Sequence, residues 1–264
     1  MTSLAALNAA PPSDFAAALD GVFEHAPWVP LAAAPARPFA SVEALHAALM
    51  DVVRTADAVT QRQFLRGHPP LSAAAVATTL TADSAAEQAA LGLAGLGDAA
   101  ARFATLSAAY EARHAFPFII CARRHTPSSV LAQLERRLDQ DEAAERAAAL
   151  AEVFLITRLR LVARVSGPGV PETTGRLAVV VERNGAAAEG VRVELWRDGA
   201  KLCEASTAAD GSVVLLQGEP LRIGPHELRI HAGEPIPVRW RVTEPEANIR
   251  VALAVGPEGV RVSM

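Results

Sequence analysis

Hydrophobic positions in the first part of the chain recur at helical spacing. Between residues 42 and 59 the apolar side chains stand three or four positions apart, as one face of an amphipathic helix requires. Thr126 followed by Pro127 predicts a helix start, because threonine caps free N–H groups and proline is tolerated in the first turn. A long Ala-rich helix is predicted over about 142–165. The pattern from residue 13 to about 165 therefore predicts an all-α domain.

The spacing changes to two after residues 166–171, where Ser-Gly-Pro-Gly-Val-Pro cannot continue a helix. Residues 191–195 alternate and lead to Asp198-Gly199, a strong hairpin signal, before a second strand runs back over 201–206. Other strands are predicted at 176–183, 212–216, 226–231, 237–243 and 248–255. About seven short strands predict a small antiparallel β-sandwich. We therefore expect a multidomain protein, with a helical domain over 1–166, a linker over 167–174 and the sandwich over 175–264.

Composition narrows the function classes. The 264 residues are 51% hydrophobic, which is enough for two packed cores, and the net charge of −4 leaves no basic stripe for a phosphate backbone. No apolar run reaches membrane-spanning length, and Cys121 and Cys203 lie outside any disulfide or zinc spacing. The first residues lack a basic leader and the last lack a peroxisomal address. We expect a cytoplasmic protein that binds no nucleic acid, membrane or metal.

Two residues are the first candidates for chemistry. His68 is followed by two prolines that stiffen its loop, and histidine exchanges a proton near neutral pH. The alternative is a loop histidine that only bonds a carbonyl group. Glu87 completes a capping-box pattern with Ser84, which would start a helix and place Glu87 at its third position. Such a helix start also attracts an anionic substrate, so both roles can hold for Glu87.

Short motifs in a fixed order carry a resemblance to a known family. They are Val-Phe-Glu-His-Ala-Pro-Trp-Val at 22–29, Gly-His-Pro-Pro-Leu at 67–71, Ser-Ala-Ala-Glu-Gln at 84–88 and Phe-Pro-Phe-Ile-Ile-Cys-Ala-Arg at 116–123. Together they resemble the 2-oxo-4-hydroxy-4-carboxy-5-ureidoimidazoline (OHCU) decarboxylases of urate degradation over about residues 13–165. The resemblance implies that the small-molecule substrate OHCU is converted to (S)-allantoin without a cofactor.

The resemblance also implies roles for individual residues. His68, Glu87 and Arg160 would be catalytic, with His68 as the likelier proton donor, and Arg158 is the alternative cation if the register differs. Residues implied to bind substrate, partly through main-chain groups of 119–123, are Pro69, Ser84, Gln88, Phe118, Ile119, Ile120, Cys121 and Arg123. His25 and Trp28 are interpreted as packing residues. One departure is Pro70, which stands where the family motif His-Pro-Asp-Leu has aspartate.

The second part of the chain resembles the transthyretin-like 5-hydroxyisourate hydrolases, through residues 190–195, 207–211 and 249–259. The residues that would perform hydrolysis are absent: 176–190 contain no histidine, and Ser212 stands where an arginine is usual. We therefore expect no hydrolase activity from this domain and a role in forming a homodimer or higher homo-oligomer. The alternatives are a bifunctional allantoin synthase with both sites active and a catalytically impaired scaffold of the urate pathway.

Overall fold

The structure, a computed structural model, describes residues 1–72, 80–170, 175–216 and 220–264. The chain divides into two compact units, Met1–Arg123 with Val130–Pro171, and Arg124–Ser129 with Glu172–Met264. The first residues of the expected linker pack within the first unit, where the Pro168 carbonyl group accepts a hydrogen bond from the Val42 N–H at 2.9 Å. No helix in the described ranges is long and apolar enough to cross a membrane.

The first unit is helical, as the apolar spacing predicts. Its α-helices are α1 (Leu4–Ala9), α2 (Pro12–Ala18), α3 (Trp28–Ala33), α4 (Val42–Arg54), α5 (Ala58–Arg66), α6 (Ala82–Leu91), α7 (Ala99–His114), α8 (Pro127–Leu138, whose first three residues belong to the second unit) and α9 (Glu142–Arg164). Single 3₁₀ turns occupy Ala34–Ala36, Leu93–Leu96 and Ala122–Arg124. Two short strands, β1 (Thr2–Ser3) and β2 (Val165–Ser166), pair in parallel.

Side-chain caps set the helix boundaries. The predicted start at Pro127 is confirmed, because the Thr126 hydroxyl accepts a hydrogen bond from the Ser129 N–H at 3.3 Å. The apolar run over 42–59 is two helices rather than one. It breaks at Asp57, whose carboxylate accepts hydrogen bonds from the second and third N–H groups of α5 at 2.9 and 3.0 Å. A cap of this kind ends one helix and starts the next within a continuous apolar stripe.

The predicted capping box of Ser84 and Glu87 is wrong. Helix α6 begins at Ala82, and its N-cap is Thr81, whose hydroxyl accepts a hydrogen bond from the Ser84 N–H at 3.3 Å. Ser84 is thus the third helical residue and Glu87 lies in the second turn. The Ser84 side chain is buried, and its hydroxyl bonds other side chains instead of the helix end.

A buried ion pair joins α8, α9 and the segment between α7 and α8. Arg137 and Glu145 are 2% and 0% exposed, and the Arg137 Nη2 atom lies 2.5 Å from Glu145 Oε1. Tyr110 also donates a hydrogen bond to Glu145. The Arg137 Nη1 donates to the Ile119 carbonyl oxygen at 2.9 Å, and the guanidinium lies 4.7 Å from the Phe118 ring centroid. The pair therefore fixes the main chain of 118–119.

The second unit is a two-sheet β-sandwich. Its strands are β3 (Leu177–Arg183), β4 (Ala186–Ala187), β5 (Arg192–Arg197), β6 (Ala200–Ser206), β7 (Ser212–Leu215), β8 (Gly224–His231), β9 (Ile236–Val242), β10 (Ile249–Gly256) and β11 (Gly259–Ser263). One sheet has the order β11-β10-β3-β4, with β7 also paired to β3, and the other has the order β6-β5-β8-β9. Buried valine, leucine and isoleucine side chains fill the space between them.

The seven predicted strands are confirmed, with two differences. Asp198 and Gly199 have φ of 47° and 78°, as the tight turn of the β5–β6 hairpin requires. Strands β4 and β11, which were not predicted, pair antiparallel with β3 and β10 respectively. Strands β3 and β10 pair in parallel, so the sandwich is not wholly antiparallel. This pairing joins strands that lie about seventy residues apart, which local periodicity does not report.

Candidate active site

One cleft in the helical unit brings together most of the residues that the sequence predicts for the site. The predicted residues on its wall are His68, Pro69, Ser84, Glu87, Gln88, Phe118, Ile119, Ile120 and Arg160. Leu71, Ala122 and Ile156 complete the wall. The elements that supply it are the loop after α5, helix α6, the segment before α8 and helix α9. Its cavity volume is about 40 Å³.

Two predicted substrate-binding residues are not part of this wall. Cys121 is buried, and its main-chain N–H donates a hydrogen bond to Glu152 Oε2 at 2.9 Å instead of facing the cleft. Arg123 lies in the 3₁₀ turn Ala122–Arg124, which turns the chain after Ala122. The contribution of this segment to the cleft wall therefore ends at Ala122, one residue before Arg123.

His68 is buried at the end of α5, with 9% of its surface exposed. Its Nδ1 atom lies 3.2 Å from the Phe64 carbonyl oxygen, and its ring meets the Phe64 ring edge-on with centroids 5.0 Å apart. A carbonyl oxygen only accepts, so Nδ1 carries the proton and Nε2 has the free lone pair. Burial lowers the pKa of His68 from 6.5 to about 4, although the Phe64 carbonyl and Glu24 oppose this shift. The imidazole is therefore neutral at pH 7.

Arg160 is the cation of the cleft, and all five of its N–H donors have acceptors. Nε and Nη2 donate to the two carboxylate oxygens of Glu87 at 3.1 and 2.7 Å. Nη1 donates to Glu24 Oε2 at 2.6 Å and to the Gly21 carbonyl oxygen at 3.2 Å, and Nη2 also donates to the Ser84 hydroxyl at 3.0 Å. Burial by itself lowers the pKa of Arg160, but the two carboxylates raise it above its ordinary value. The guanidinium is therefore charged and fully hydrogen-bonded.

Arg158 and Arg160, the two candidate cations on α9, lie in different places. Arg160 is 4% exposed and lies on the cleft wall. Arg158 is two residues earlier, which on a helix is the opposite face, and its Nη2 atom lies 3.6 Å from Glu43 Oε1. Arg158 is not a residue of this cleft.

Glu24 is a member of the network that sequence reasoning missed. Its side chain is 1% exposed, and it accepts hydrogen bonds from Arg160, from the Ser84 hydroxyl at 2.9 Å and from the Thr81 hydroxyl at 2.8 Å. Burial alone raises the pKa of Glu24, but the hydrogen bonds from Arg160 and Thr81 outweigh this effect and lower it below 4.5. A carboxylate inside the largely apolar segment 22–29 is the signal that could have identified it, because a buried charge requires a partner.

Gln88 ties helix α6 to the loop that carries His68. Its Nε2 atom donates a hydrogen bond to the Pro70 carbonyl oxygen at 3.2 Å, and its Oε1 atom accepts one from the Ser72 N–H at 3.4 Å. Pro70 itself is exposed and contributes through its main chain. Among the described residues no group of three or more histidine, cysteine or acidic side chains is placed to hold a metal ion.

A family model described as OHCU decarboxylase matches residues 8–162, which is more than half of the chain. The chain belongs to the OHCU decarboxylase family. The matched region contains Glu24 and the whole cleft wall, from His68 to Arg160, and it ends before the first strand of the β-sandwich.

Two relatives of this OHCU decarboxylase family member are themselves named OHCU decarboxylases. The 2-oxo-4-hydroxy-4-carboxy-5-ureidoimidazoline decarboxylase of Haloferax volcanii is 36% identical over 165 residues, covering 62% of this chain and 96% of its own. The decarboxylase of the same name from Amia calva is 37% identical over 151 residues, covering 56% of this chain and 86% of its own. Among solved structures, an (S)-allantoin synthase crystal structure covers 99% of both chains, with 22% identity and a TM-score of 0.49.

Proposed function

We propose that the chain decarboxylates OHCU to (S)-allantoin in urate degradation, without a cofactor. The observation that carries the proposal is a single cleft that gathers a buried neutral histidine, a bidentate arginine–glutamate pair and a buried serine. Family membership and the names of the relatives identify the substrate class. His68, Glu87 and Arg160 are the proposed catalytic residues.

The substrate can hold the electrons of the broken bond by itself. OHCU carries a hydroxyl group and a carboxylate on one ring carbon, and the adjacent ring carbon is doubly bonded to nitrogen. As CO₂ leaves, the electron pair of the C–C bond forms a C=C bond to that adjacent carbon, and the C=N electron pair moves to nitrogen. The hydroxyl proton is then lost to give the carbonyl group, while the adjacent carbon and the nitrogen each gain a proton. One proton is consumed overall, and no external electron acceptor is needed.

The state of His68 supports a role as proton acceptor in the resting enzyme. Sequence reasoning favoured it as the donor, but a buried imidazole with Nδ1–H bound to the Phe64 carbonyl offers a lone pair on Nε2 and no second proton. His68 takes the hydroxyl proton as the carbonyl group forms. The imidazolium then returns this proton to one face of the adjacent ring carbon, which sets the configuration of the product.

The polar groups of the cleft bind and orient the anion. Arg160 offers a planar fork that matches a carboxylate, and Ser84 lies beside it on α6. Gln88 holds the main chain after His68, so the base is fixed relative to α6. The apolar side chains of Phe118, Ile119 and Ile156 exclude water from the ring.

The stereochemistry of the product tests this function. OHCU decays in buffer to racemic allantoin, whereas protonation on a single face yields one enantiomer. With the enzyme present, circular dichroism on freshly generated OHCU should therefore show the signal of (S)-allantoin. This signal should appear faster than OHCU decays in buffer alone. Racemic product at the buffer rate would reject the enzyme in favour of a scaffold.

We propose that the β-sandwich mediates assembly of a homo-oligomer and does not add a hydrolase activity. Strand β11 is exposed along its length, with Val260 and Val262 46% and 44% exposed, and edge strands of this kind pair with other chains. The proposal includes a homodimer or higher homo-oligomer in the cytoplasm. Size-exclusion chromatography with light scattering tests it, because a monomer at micromolar concentration contradicts it.

A further inference from the structure

The resting cleft holds no unused donor on its cation. Each of the five N–H groups of Arg160 already donates to a protein atom, so a substrate anion can bind this guanidinium only by replacing one of its partners. The question is which partner leaves.

The two carboxylates bound to Arg160 differ in burial and in support. Glu24 is 1% exposed and accepts three further hydrogen bonds, two from Thr81 and one from Ser84, so removing it would strand several buried groups. The Glu87 side chain is 15% exposed and lies on the cleft wall, and among the described residues Arg160 alone donates hydrogen bonds to it. Glu87 is therefore the partner that is easier to displace.

The small volume of the cleft also indicates that Glu87 is the partner that a substrate displaces. Its volume of about 40 Å³ has room for only a few water molecules and is far less than the several hundred Å³ of typical ligand pockets. Rotation of the Glu87 side chain from its helix enlarges the cleft without moving the main chain of α6. It also vacates Nε and Nη2, the edge of the guanidinium that binds a carboxylate in two parallel hydrogen bonds.

We propose that the substrate carboxylate exchanges with Glu87 on Arg160, while Glu24 stays as the permanent counter-ion. This inference rests on the proposed function, because it concerns the same cleft and substrate. Glu87 occupies the place of the substrate in the empty enzyme. Once released, its carboxyl group faces the bound ring instead of the guanidinium.

The exchange leaves Arg160 with two carboxylate partners throughout. In the resting state these are Glu24 and Glu87, and with substrate bound they are Glu24 and the substrate carboxylate. When the substrate carboxylate leaves as neutral CO₂, Glu87 returns to Arg160.

Matched probes that do not react test the exchange on the full chain. Orotate is a planar heterocycle with a carboxylate, and uracil is the same ring without it. In Glu87→Gln the neutral amide competes poorly for Arg160, so calorimetry should show orotate binding about tenfold tighter than in the wild type, with uracil binding unchanged, as expected for loss of a charged competitor. A crystal structure of the wild type with orotate should show its carboxylate on Nε and Nη2 of Arg160, with Glu87 turned away.

Two control variants separate exchange from a general loss of negative charge. Glu24→Gln removes the same charge from the other side of Arg160, and Asp83→Asn removes one from the same helix, where it pairs with Arg164. If exchange occurs, the affinity for orotate should increase much more in Glu87→Gln than in either control variant. If Glu24→Gln does not fold, the comparison with Asp83→Asn is sufficient. Equal gains, or orotate bound with the Arg160–Glu87 pair intact, would overturn the inference. Neither result depends on turnover, so a wild type that makes (S)-allantoin keeps the proposed function in either case.

Discussion

The Nδ1 atom of His68 lies 3.2 Å from the carbonyl oxygen of Phe64, four residues earlier in the chain. This carbonyl belongs to the last turn of α5 and also accepts a hydrogen bond from the N–H of Gly67, the residue that ends the helix, at 3.1 Å. The helix end therefore fixes both the tautomer and the orientation of the imidazole. The imidazole is therefore held in one tautomer, in which Nε2 carries the lone pair that can accept a proton.

Replacing His68 removes the proposed base. In His68→Ala, turnover of OHCU should fall about a hundredfold or more, the usual contribution of a positioned acid–base group, and the enantiomeric excess should disappear. Circular dichroism of the product measures both effects. The control is His231→Ala, which changes a histidine of the β-sandwich and should retain the wild-type rate and the S product.

The pH dependence of kcat/KM should show a low acid limb. His68 works as a base only when neutral, and burial lowers its pKa from 6.5 to about 4. Activity should therefore stay constant from pH 7 down to about pH 5 and fall as the pH approaches 4, after subtraction of the spontaneous decay of OHCU. An acid limb centred near 6.5 would mean that the histidine is solvated in the working enzyme.

The stability of the helical unit should also decrease in acid, partly because of His46. Burial, with Arg158 and Arg54 nearby, lowers the pKa of His46 from 6.5 to about 4, and its Nε2 atom lies 2.9 Å from the Thr157 hydroxyl. The unfolded chain takes up this proton first as the pH falls, so the free energy of unfolding decreases between pH 6.5 and 4, by up to about 3 kcal/mol for such a shift.

Urea unfolding followed by far-ultraviolet circular dichroism at several pH values checks this prediction. His46→Gln keeps an N–H group for Thr157 but cannot titrate, so its curve should be less steep between pH 6.5 and 4 than that of the wild type. Identical slopes in the two proteins would assign the acid loss to other groups, of which His68 is the first.

Pro70 should be less important for the rate than Gln88. Gln88 reaches the loop through the carbonyl group of Pro70, which any residue supplies, so Pro70→Asp should change kcat by less than about tenfold. Gln88→Ala releases the loop and should lower kcat by about tenfold to a hundredfold, the usual effect of misplacing a catalytic group. Gln133→Ala, on the surface of α8, is the matched control. A large gain for Pro70→Asp would instead give the family's aspartate a direct role.

The full chain should not hydrolyse 5-hydroxyisourate above the buffer rate. The histidines on the strands of the sandwich, β3 to β11, are His226, which is buried against Trp240, and His231, which lies beside Arg192 and Glu194. Neither replaces the histidine that is missing from the first strand of the sandwich. Absorbance decay of hydroxyisourate measures the rate, and significant acceleration would favour the bifunctional alternative.

Local patterns predicted a helical domain followed by a β-sandwich, whereas family motifs predicted the three residues that meet in the cleft. His68, Glu87 and Arg160 come from distant segments, and their common position followed from family motifs rather than from spacing. Glu24 was missed because a single glutamate within an apolar segment shows no partner in the sequence. Its partners, Thr81 and Arg160, lie 57 and 136 residues away.

The incorrect capping box has a similar cause. Thr81 and Ser84 are both good N-cap residues at a plausible helix start, and local propensity does not choose between them. The Ser84 hydroxyl bonds Glu24 and Arg160 in the buried network, so it is not available to cap the helix. The Thr81 hydroxyl caps the helix instead. Long-range polar contacts thus shift a boundary that sequence rules place one turn too late.

The buried pair of Arg137 and Glu145 restricts how the sequence near the cleft can change. Losing either partner leaves an uncompensated charge in the core and releases the Ile119 carbonyl or the Tyr110 hydroxyl, which costs several kcal/mol in comparable cases, whereas replacing both with apolar residues is often tolerated. A change to an apolar pair therefore has to pass through an intermediate close to unfolding. Single substitutions of Arg137 or Glu145 are therefore strongly disfavoured, although neither residue lies on the cleft wall.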